Sequence, residues 1–262
     1  MELYKKFDAE VRKNVENSIF DVRNDDKYGQ SHFNIVTSTL NINTNHNNVL
    51  FGNTNIVLFG NGYIEDSIGD IKYHISPESF YQVNMEMTKD IYDKVVKFGE
   101  FTGNENVLDL YCGIGTISLY ISKYVKSVLG IEIVERAIRD AKENAKINNI
   151  TNANFICADV DTLLNDEKIE TELTAFDTII VDPPRKGLDK NAIDLIKRIS
   201  PNKIIYVSCD PATLARDLDM LCHDMDDTDK NAIKYNLKTI ANVDMFPHTM
   251  HMETIALILK EK

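Results

Sequence analysis

Short apolar runs alternate with segments of helical spacing from about residue 107 to the end of the chain. The strand-like runs cover residues 107–110, 127–131, 153–157, 176–181 and 204–207. Helical patterns lie between them, as at 134–148, and this alternation predicts an α/β fold with a doubly wound, mostly parallel sheet. Two later runs, 237–245 and 253–259, have no helical pattern between them. We therefore expect an antiparallel strand pair at the C-terminal end of the sheet.

The chain before this sheet has a different pattern. Residues 48–76 alternate between apolar and polar types, and the turn signals Gly60-Asn-Gly62 and Gly69-Asp70 predict short hairpins. Helical spacing returns at 79–98, and an amphipathic stretch at 3–20 predicts a further, leading helix. The expected organisation is a partial β-rich region over residues 1–78 and a Rossmann-like α/β domain over residues 79–262.

Composition limits the possible partners. The 262 residues, 43% of them hydrophobic, are enough for one large domain or for one domain with an appendage. Lys and Arg number 29 against 41 Asp and Glu, so the net charge is −12. Such a charge repels polyanions, and binding to nucleic acid would require a local basic patch.

The spacing of the cysteines indicates a reducing cellular compartment and argues against a metal site. No CxxC pair occurs among the four cysteines, Cys112, Cys157, Cys209 and Cys222, which favours a reducing, cytoplasmic location and disfavours zinc or disulfides. His248, His251 and Glu253 could ligate a metal by type, but they lack a partner cluster, so no metal site is expected. The sequence shows neither a signal-peptide pattern nor an apolar run of the roughly 20 residues needed to span a bilayer.

A glycine turn follows the first strand of the predicted sheet. The segment Asp109-Leu-Tyr-Cys-Gly-Ile-Gly-Thr116, which contains Tyr111 and Gly113, opens a helix whose free N–H groups can face a ligand. Glu132 ends the second strand, where a carboxylate can accept both ribose hydroxyls. Asp159 follows the third strand and could meet an adenine amino group. Together these positions favour a nucleoside cofactor, although a tight structural turn is the alternative.

Two further loops carry candidate chemistry. Asp182 begins Asp-Pro-Pro-Arg-Lys-Gly187 after the fourth strand, where the prolines favour a rigid loop facing a substrate. Cys209 stands between an apolar strand and Asp210-Pro211, a typical helix start that supports a thiolate, although the Asp210 carboxylate opposes it. The alternatives are a capped loop and a small buried cysteine. Glu253 supplies a possible base.

The order of these motifs resembles the RNA uracil-C5 methyltransferase family, and the match covers about four fifths of the chain. The motifs are Ser79-Phe-Tyr-Gln-Val-Asn, Leu108-Asp-Leu-Tyr-Cys-Gly-Ile-Gly, Asp182-Pro-Pro-Arg-Lys-Gly-Leu-Asp, Ser208-Cys-Asp-Pro-Ala-Thr and Phe246-Pro-His-Thr-Met-His-Met-Glu-Thr. The resemblance implies an S-adenosylmethionine-dependent methyltransferase domain over residues 79–262. It also implies RNA as the partner, with ribosomal RNA of the 23S branch preferred to transfer RNA, and neither DNA nor a membrane.

The resemblance also assigns roles to residues. It implies that Gln82, Tyr111, Glu132 and Asp182 line the cofactor site, that Cys209 is the nucleophile and that Glu253 is the base. Family members usually carry an N-terminal β-barrel and a cysteine cluster for an iron–sulfur centre. This chain has neither pattern, so an N-terminal truncation and no iron–sulfur cluster are expected.

The chemistry of uracil agrees with these roles. Thiolate attack at C6 makes C5 nucleophilic, and a carboxylate can then remove the C5 proton. The uracil would be flipped out of an RNA loop to reach the sheet edge. The competing hypotheses are a transfer RNA uracil methyltransferase, an N-methyltransferase acting on a base amine, which needs no cysteine, and a non-catalytic remnant that binds cofactor or a protein partner.

Overall fold

The computed structural model describes residues 13–14, 35–44, 51–52, 54–160, 163, 175–223 and 234–261. The helix predicted at 3–20 lies outside these residues, apart from residues 13 and 14. By its internal contacts the chain divides into two compact units, residues 1–66 with 74–79 and residues 67–73 with 80–262.

The first unit contains an antiparallel strand pair, β1 (Ser38–Ile42) and β2 (Thr54–Phe59). The Asn41 amide donates to Asn55 Oδ1 at 2.6 Å and to the Gly52 carbonyl at 3.0 Å. These bonds join β1, β2 and the segment between them through polar side chains, since every residue of β1 is only partly buried.

Beyond these strands, β3 (Ile64–Ile68) and β4 (Ile71–Ile75) form a separate two-stranded sheet. The hairpin prediction is correct at Gly69-Asp70, which joins β3 and β4, and wrong at Gly60–Gly62. There the turn connects two different sheets, because β2 pairs with the earlier strand β1.

The second unit contains a seven-stranded sheet in the order β10-β11-β9-β8-β5-β6-β7. Its strands are β5 (Asn106–Leu110), β6 (Ser127–Glu132), β7 (Ala153–Cys157), β8 (Thr178–Val181), β9 (Lys203–Ser208), β10 (Tyr235–Val243) and β11 (Glu253–Lys260). β5 to β9 are parallel, and β11 runs antiparallel to both β9 and β10. The predicted fold class and the antiparallel C-terminal pair are confirmed.

Five α-helices of the described residues accompany the sheet. They are α1 (Met85–Gly99), α2 (Thr116–Ile121), α3 (Glu135–Ile147), α4 (Lys190–Ile199) and α5 (Pro211–Cys222). The helix predicted at 79–98 begins late because the Asn84 side chain accepts from the Met87 N–H and caps α1 at 3.3 Å. Residues 79–84 are therefore loop, and apolar spacing alone does not mark that boundary.

The core of the second unit lies between the sheet and its helices. Leu108, Ile179, Ile204 and Ile196 of α4 are fully buried in one cluster. Caps fix where α4 and α5 begin: Asp189 accepts from the Ala192 N–H, and Asp210 accepts from the N–H groups of the first turn of α5. These caps fix the helix starts that follow β8 and β9.

Candidate active site

All six predicted strand-end residues lie along one edge of the large sheet. The parallel register pairs Leu110 with Ile131 and with Val181, so the residues that follow these strand ends are neighbours across the edge. In sheet order the strand-end residues are Glu253, Cys209, Asp182, Tyr111, Glu132 and Asp159. In an open α/β sheet, this carboxyl edge is where ligands bind.

Cys209 and Glu253 face each other because β11 is antiparallel. The register pairs Thr254 with Ser208, and the next step brings the start of β11 opposite the end of β9. Glu253 is 6% exposed, whereas Cys209 is partly exposed, so a ligand can reach the thiol beside a buried carboxyl group.

The charges around Cys209 oppose its ionisation. Burial raises the pKa of the Cys209 thiol, and the Glu253 and Asp182 carboxylates raise it further, whereas the Arg185 guanidinium lowers it. Burial also raises the pKa of Glu253, and Arg185 again opposes that shift. Arg185 is thus the cation that favours both ionised forms.

The Asp182 carboxyl group has a raised pKa. Burial raises its pKa to about 8, with further contributions from the carboxylates of Glu253 and Asp109. In its protonated form Asp182 can donate a hydrogen bond, whereas its ionised form opposes the Cys209 thiolate. A polar atom of a ligand could therefore accept from Asp182.

The glycine turn and Glu132 form the other half of the edge. Glu132 accepts from the Gly113 N–H at 3.3 Å and from the Val134 N–H at 2.9 Å, so its carboxylate is fixed against the turn. Tyr111 and Gly113 both have positive φ, 66° and 53°. A Cβ built at Gly113 meets no atom within 4 Å, so the space above the turn is open to a ligand.

Neighbouring glycines hold this turn close to the sheet. A Cβ at Gly115 would lie 2.8 Å from the Phe155 ring, and one at Gly130 would lie 2.5 Å from the same ring. Phe155 of β7 is buried at 3% exposure. The ring therefore packs directly under the turn, and larger residues at either glycine would displace it.

Tyr111, Asp159 and Gln82 differ in their exposure. Burial raises the pKa of Tyr111 to about 12, and the nearby carboxylates of Asp189 and Asp159 add to the shift. Asp159 is exposed, within electrostatic range of Tyr111. Gln82 is half-buried in the loop before α1. That loop is tied to the end of β10, because the Asn84 amide donates to the Met245 carbonyl at 3.0 Å.

Asp109 is a buried acid that sequence reasoning passed over. It is fully buried, Ser118 donates to Oδ2 at 2.5 Å, and Oδ1 has no hydrogen-bond partner among the described residues. Burial raises its pKa to about 7, against the stabilising bond from Ser118. A charged residue inside the apolar run Val-Leu-Asp-Leu was the available signal.

We expect Asp109→Asn to change how stability depends on pH. The unfolded chain releases this proton near pH 4, whereas the folded protein keeps it until about pH 7. The free energy of unfolding should therefore fall as pH rises between these values, and the variant should lack that part of the fall. Urea unfolding at pH 5 and 7 should show a loss about 2–3 kcal/mol larger in the wild type. Asp219→Asn, an exposed control, should behave as the wild type, and equal losses in wild type and Asp109→Asn would contradict the assignment.

The described residues contain neither a group of metal ligands nor a membrane-spanning helix. No group of three or more His, Cys, Asp and Glu side chains that could hold a metal ion occurs there. His248 and His251 are exposed in the loop before β11, and His248 has a positive φ of 71°. Among the helices in the described part of the chain, none is long and apolar enough to cross a membrane.

The fold is that of the Rossmann-like methyltransferases. P. horikoshii TYW2, at 14% identity, aligns over 79% of this chain and 74% of its own with a TM-score of 0.53, which shows the fold alone. The Pyrococcus abyssi tRNA (uracil-54, C5)-methyltransferase, crystallised with S-adenosyl-L-homocysteine, aligns at 32% identity with a TM-score of 0.69. That alignment covers 90% of this chain and 53% of the archaeal one.

The chain belongs to the tRNA (uracil-5-)-methyltransferase family, whose model matches residues 23–262. An RNA methyltransferase of Bacillus cereus is 47% identical over 82% of this chain, and one of Staphylococcus aureus is 42% identical over 86%. The chain covers 45% and 47% of these two relatives, about half of their length. The predicted family resemblance is confirmed.

Proposed function

We propose that this chain carries the catalytic domain of an S-adenosylmethionine-dependent RNA methyltransferase that modifies C5 of a uridine. The observation that carries the proposal is the register of β9 and β11, which sets Cys209 opposite Glu253 at the edge where Asp182 and Glu132 also lie. Membership of the uracil-5 family supports the same reaction.

The reaction uses Cys209 and Glu253 in sequence. The Cys209 thiolate forms a bond to C6 of the uracil, and the electron pair of the C5–C6 double bond moves toward C5, which becomes nucleophilic. S-adenosylmethionine, when bound, supplies an electrophilic methyl group. Glu253 then accepts the C5 proton, the C5–C6 double bond forms again, and the sulfur leaves as thiolate. Arg185 favours the ionised state of both groups.

Gln82, Tyr111, Gly113, Glu132, Asp159 and Asp182 are proposed to hold the cofactor. The open space above Gly113 and the fixed Glu132 carboxylate support a nucleoside there, because a carboxylate can accept from both ribose hydroxyls. The neutral Asp182 adds a hydrogen-bond donor beside this site.

Glu132→Ala is expected to weaken S-adenosylmethionine binding. Loss of a charge-assisted hydrogen bond costs about 1.5–3 kcal/mol, which corresponds to a dissociation constant about 10- to 150-fold higher. Calorimetry on the RNA-free protein measures this, with Glu135→Ala as control, since Glu135 is exposed on the first turn of α3. An unchanged affinity would remove Glu132 from the site.

The target RNA is proposed to be ribosomal. The Asp182-Pro-Pro-Arg-Lys-Gly and Phe246-Pro-His-Thr-Met-His segments favour the 23S branch. Membership of the tRNA (uracil-5-)-methyltransferase family and the likeness to the Pyrococcus abyssi enzyme make transfer RNA the second candidate. Mass spectrometry of separated ribosomal and transfer RNA, from strains with and without this gene, tests both. A missing 5-methyluridine in one fraction identifies the substrate, and no difference in either contradicts the proposed function.

An N-methyltransferase or a non-catalytic remnant would use the same fold differently. Neither needs a thiol opposite a carboxyl group, so the Cys209–Glu253 arrangement favours uracil chemistry. We further propose a cytoplasmic location, from cysteine usage, and a methyltransferase domain that begins near residue 79.

We expect the purified chain to contain no iron–sulfur cluster. Cys112, Cys157, Cys209 and Cys222 lie on separate elements as free thiols, and none belongs to a group of metal ligands among the described residues. Iron and acid-labile sulfide analysis measures the content. Stoichiometric iron with a visible absorption band would contradict this prediction.

A further inference from the structure

A buried carboxylate on α5 holds the loop that follows β8. Asp217 is fully buried and accepts from the Leu188 N–H at 2.7 Å and from the Tyr206 hydroxyl at 2.6 Å. The neighbouring Arg216 donates to it through Nε at 2.8 Å and through Nη2 at 2.6 Å. Asp217 thus joins the loop, β9 and α5 through one charged group.

Arg216 extends the same contacts along the loop. Its Nη2 atom also donates to the carbonyls of Lys186 at 2.9 Å and Leu188 at 3.0 Å. Thr213, one turn earlier on α5, donates to the Arg185 carbonyl at 3.2 Å. The Arg216 guanidinium is therefore bound to the loop and to Asp217 of the same protein.

Gly187 lets the loop approach this group closely. Its φ is +73°, and a Cβ there would lie 2.4 Å from Asp217 Oδ2 and 2.7 Å from Arg216 Nη2. The Gly187 N–H also donates to the Pro184 carbonyl at 2.8 Å and closes a turn. Residues 185, 186 and 188 are therefore held to α5 through their backbone atoms, and the absence of a side chain at Gly187 permits this close approach.

The elements joined in this way carry the groups of the proposed reaction. The loop begins with Asp182 and contains Arg185, and α5 begins directly after Cys209. The distance between the Arg185 guanidinium and the Cys209 thiol therefore depends on how the loop is fixed to the helix. Asp217 and Arg216 form the contacts that fix it, although neither lies at the strand-end edge.

We propose that Asp217 and Arg216 are positioning residues that hold Arg185 beside Cys209. This inference rests on the proposed function for its meaning, but its test does not require RNA. If the contacts are lost, Arg185 moves away from the thiol, while Glu253 on β11 and Asp182 at the start of the loop still oppose its ionisation. Asp210, at the start of α5, also attracts Arg185 and would compete for it.

The test is the pH profile of Cys209 alkylation by iodoacetamide, in protein without RNA or cofactor. Peptide mass spectrometry measures the extent of alkylation at Cys209 separately from that at the exposed Cys157. Asp217→Asn and Arg216→Lys should each lower the rate at pH 7.5 about threefold, as expected for an upward shift of half a pKa unit. Asp219→Asn, the same change at an exposed site two residues further along α5, should leave the profile unchanged.

A purely structural role predicts the opposite sign. Loosening of the junction between β9 and α5 would expose Cys209 to water. Its pKa would then no longer be raised by burial, and alkylation would be faster at every pH. Faster alkylation, or a profile identical to wild type, in both variants would overturn the proposal. Arg216→Lys keeps the test decisive if Asp217→Asn does not fold, because the Arg216 side chain is 49% exposed.

Methylation kinetics provide a second test of the positioning role. We expect kcat to fall about threefold in Arg216→Lys, in step with the thiolate fraction of Cys209, with an unchanged KM for S-adenosylmethionine, since Glu132 and the glycine turn are untouched. An unchanged kcat together with a shifted alkylation profile would overturn the link to the reaction. A wild-type protein that alkylates as expected but methylates no RNA would instead contradict the proposed function alone.

Discussion

Replacing Cys209 with alanine is expected to lower uridine methylation by about a thousandfold or more. Without the thiol no covalent bond to C6 forms, and C5 of a free uracil is a poor nucleophile. Binding of S-adenosylmethionine should be unchanged, because the residues proposed to hold the cofactor do not include Cys209 or its neighbours on β9. An assay with methyl-labelled cofactor and RNA from a strain that lacks this gene measures the effect. The same change would leave the methylation of a base amine mostly intact, which separates the two reaction classes.

RNA containing 5-fluorouracil at the target provides a direct view of the same step. Fluorine at C5 cannot leave as a proton, so the adduct should persist after methyl transfer and survive denaturation. Cys222→Ala, a half-buried cysteine at the end of α5, is the matched control and should form the adduct normally. A wild-type protein that methylates ordinary RNA but gives no denaturation-resistant complex would rule out Cys209 as nucleophile.

Replacing Glu253 with glutamine should separate bond formation from product release. The amide cannot accept the C5 proton, so turnover is expected to fall about 10²- to 10⁴-fold while the adduct accumulates on ordinary RNA. Adduct formation itself should not slow, because removing this carboxylate lowers the pKa of the Cys209 thiol. Gel analysis of the denatured complex measures the adduct, and a scintillation assay of methylated RNA measures turnover.

The control for this change lies at the opposite end of the same segment. Glu261 is exposed after β11, and its carboxylate accepts from the Asn236 amide at 2.6 Å. Glu261→Gln should retain turnover and accumulate no adduct. If Glu253→Gln released methylated RNA at the wild-type rate, another group would be the base.

The sheet and its edge could be predicted from sequence because they depend on local patterns. Apolar runs mark the strands, and Asp182 and Cys209 directly follow two of them. The start of α1 could not be read this way, since residues 79–84 continue the apolar spacing and only the Asn84 cap interrupts the helix. β1 pairs with β2 although eleven residues separate the two strands in the chain, and strand pairing at such a distance leaves no local signal.

Contacts between distant residues were also beyond the reach of sequence patterns. In the sequence, Asp217 and Arg216 are an ordinary charged pair on a helix. In the structure, Asp217 is fully buried and both residues bind the loop around Gly187. The elevated pKa of Asp182 likewise depends first on its burial and then on how β8, β11 and β5 bring three carboxyl groups together. Such effects follow from tertiary packing, which sets both burial and charge proximity.

The reversed direction of β11 has a consequence for the order in which the protein is synthesised. A ribosome completes the parallel strands β5 to β9, with the glycine turn and Cys209, before it reaches Glu253. Until β11 arrives, β9 is the open border of the sheet, with unpaired backbone groups that could bind another chain. Pairing of the final strand with β9 therefore covers that border and brings in the proposed base in a single step, so a nascent chain contains the proposed nucleophile before it contains the proposed base.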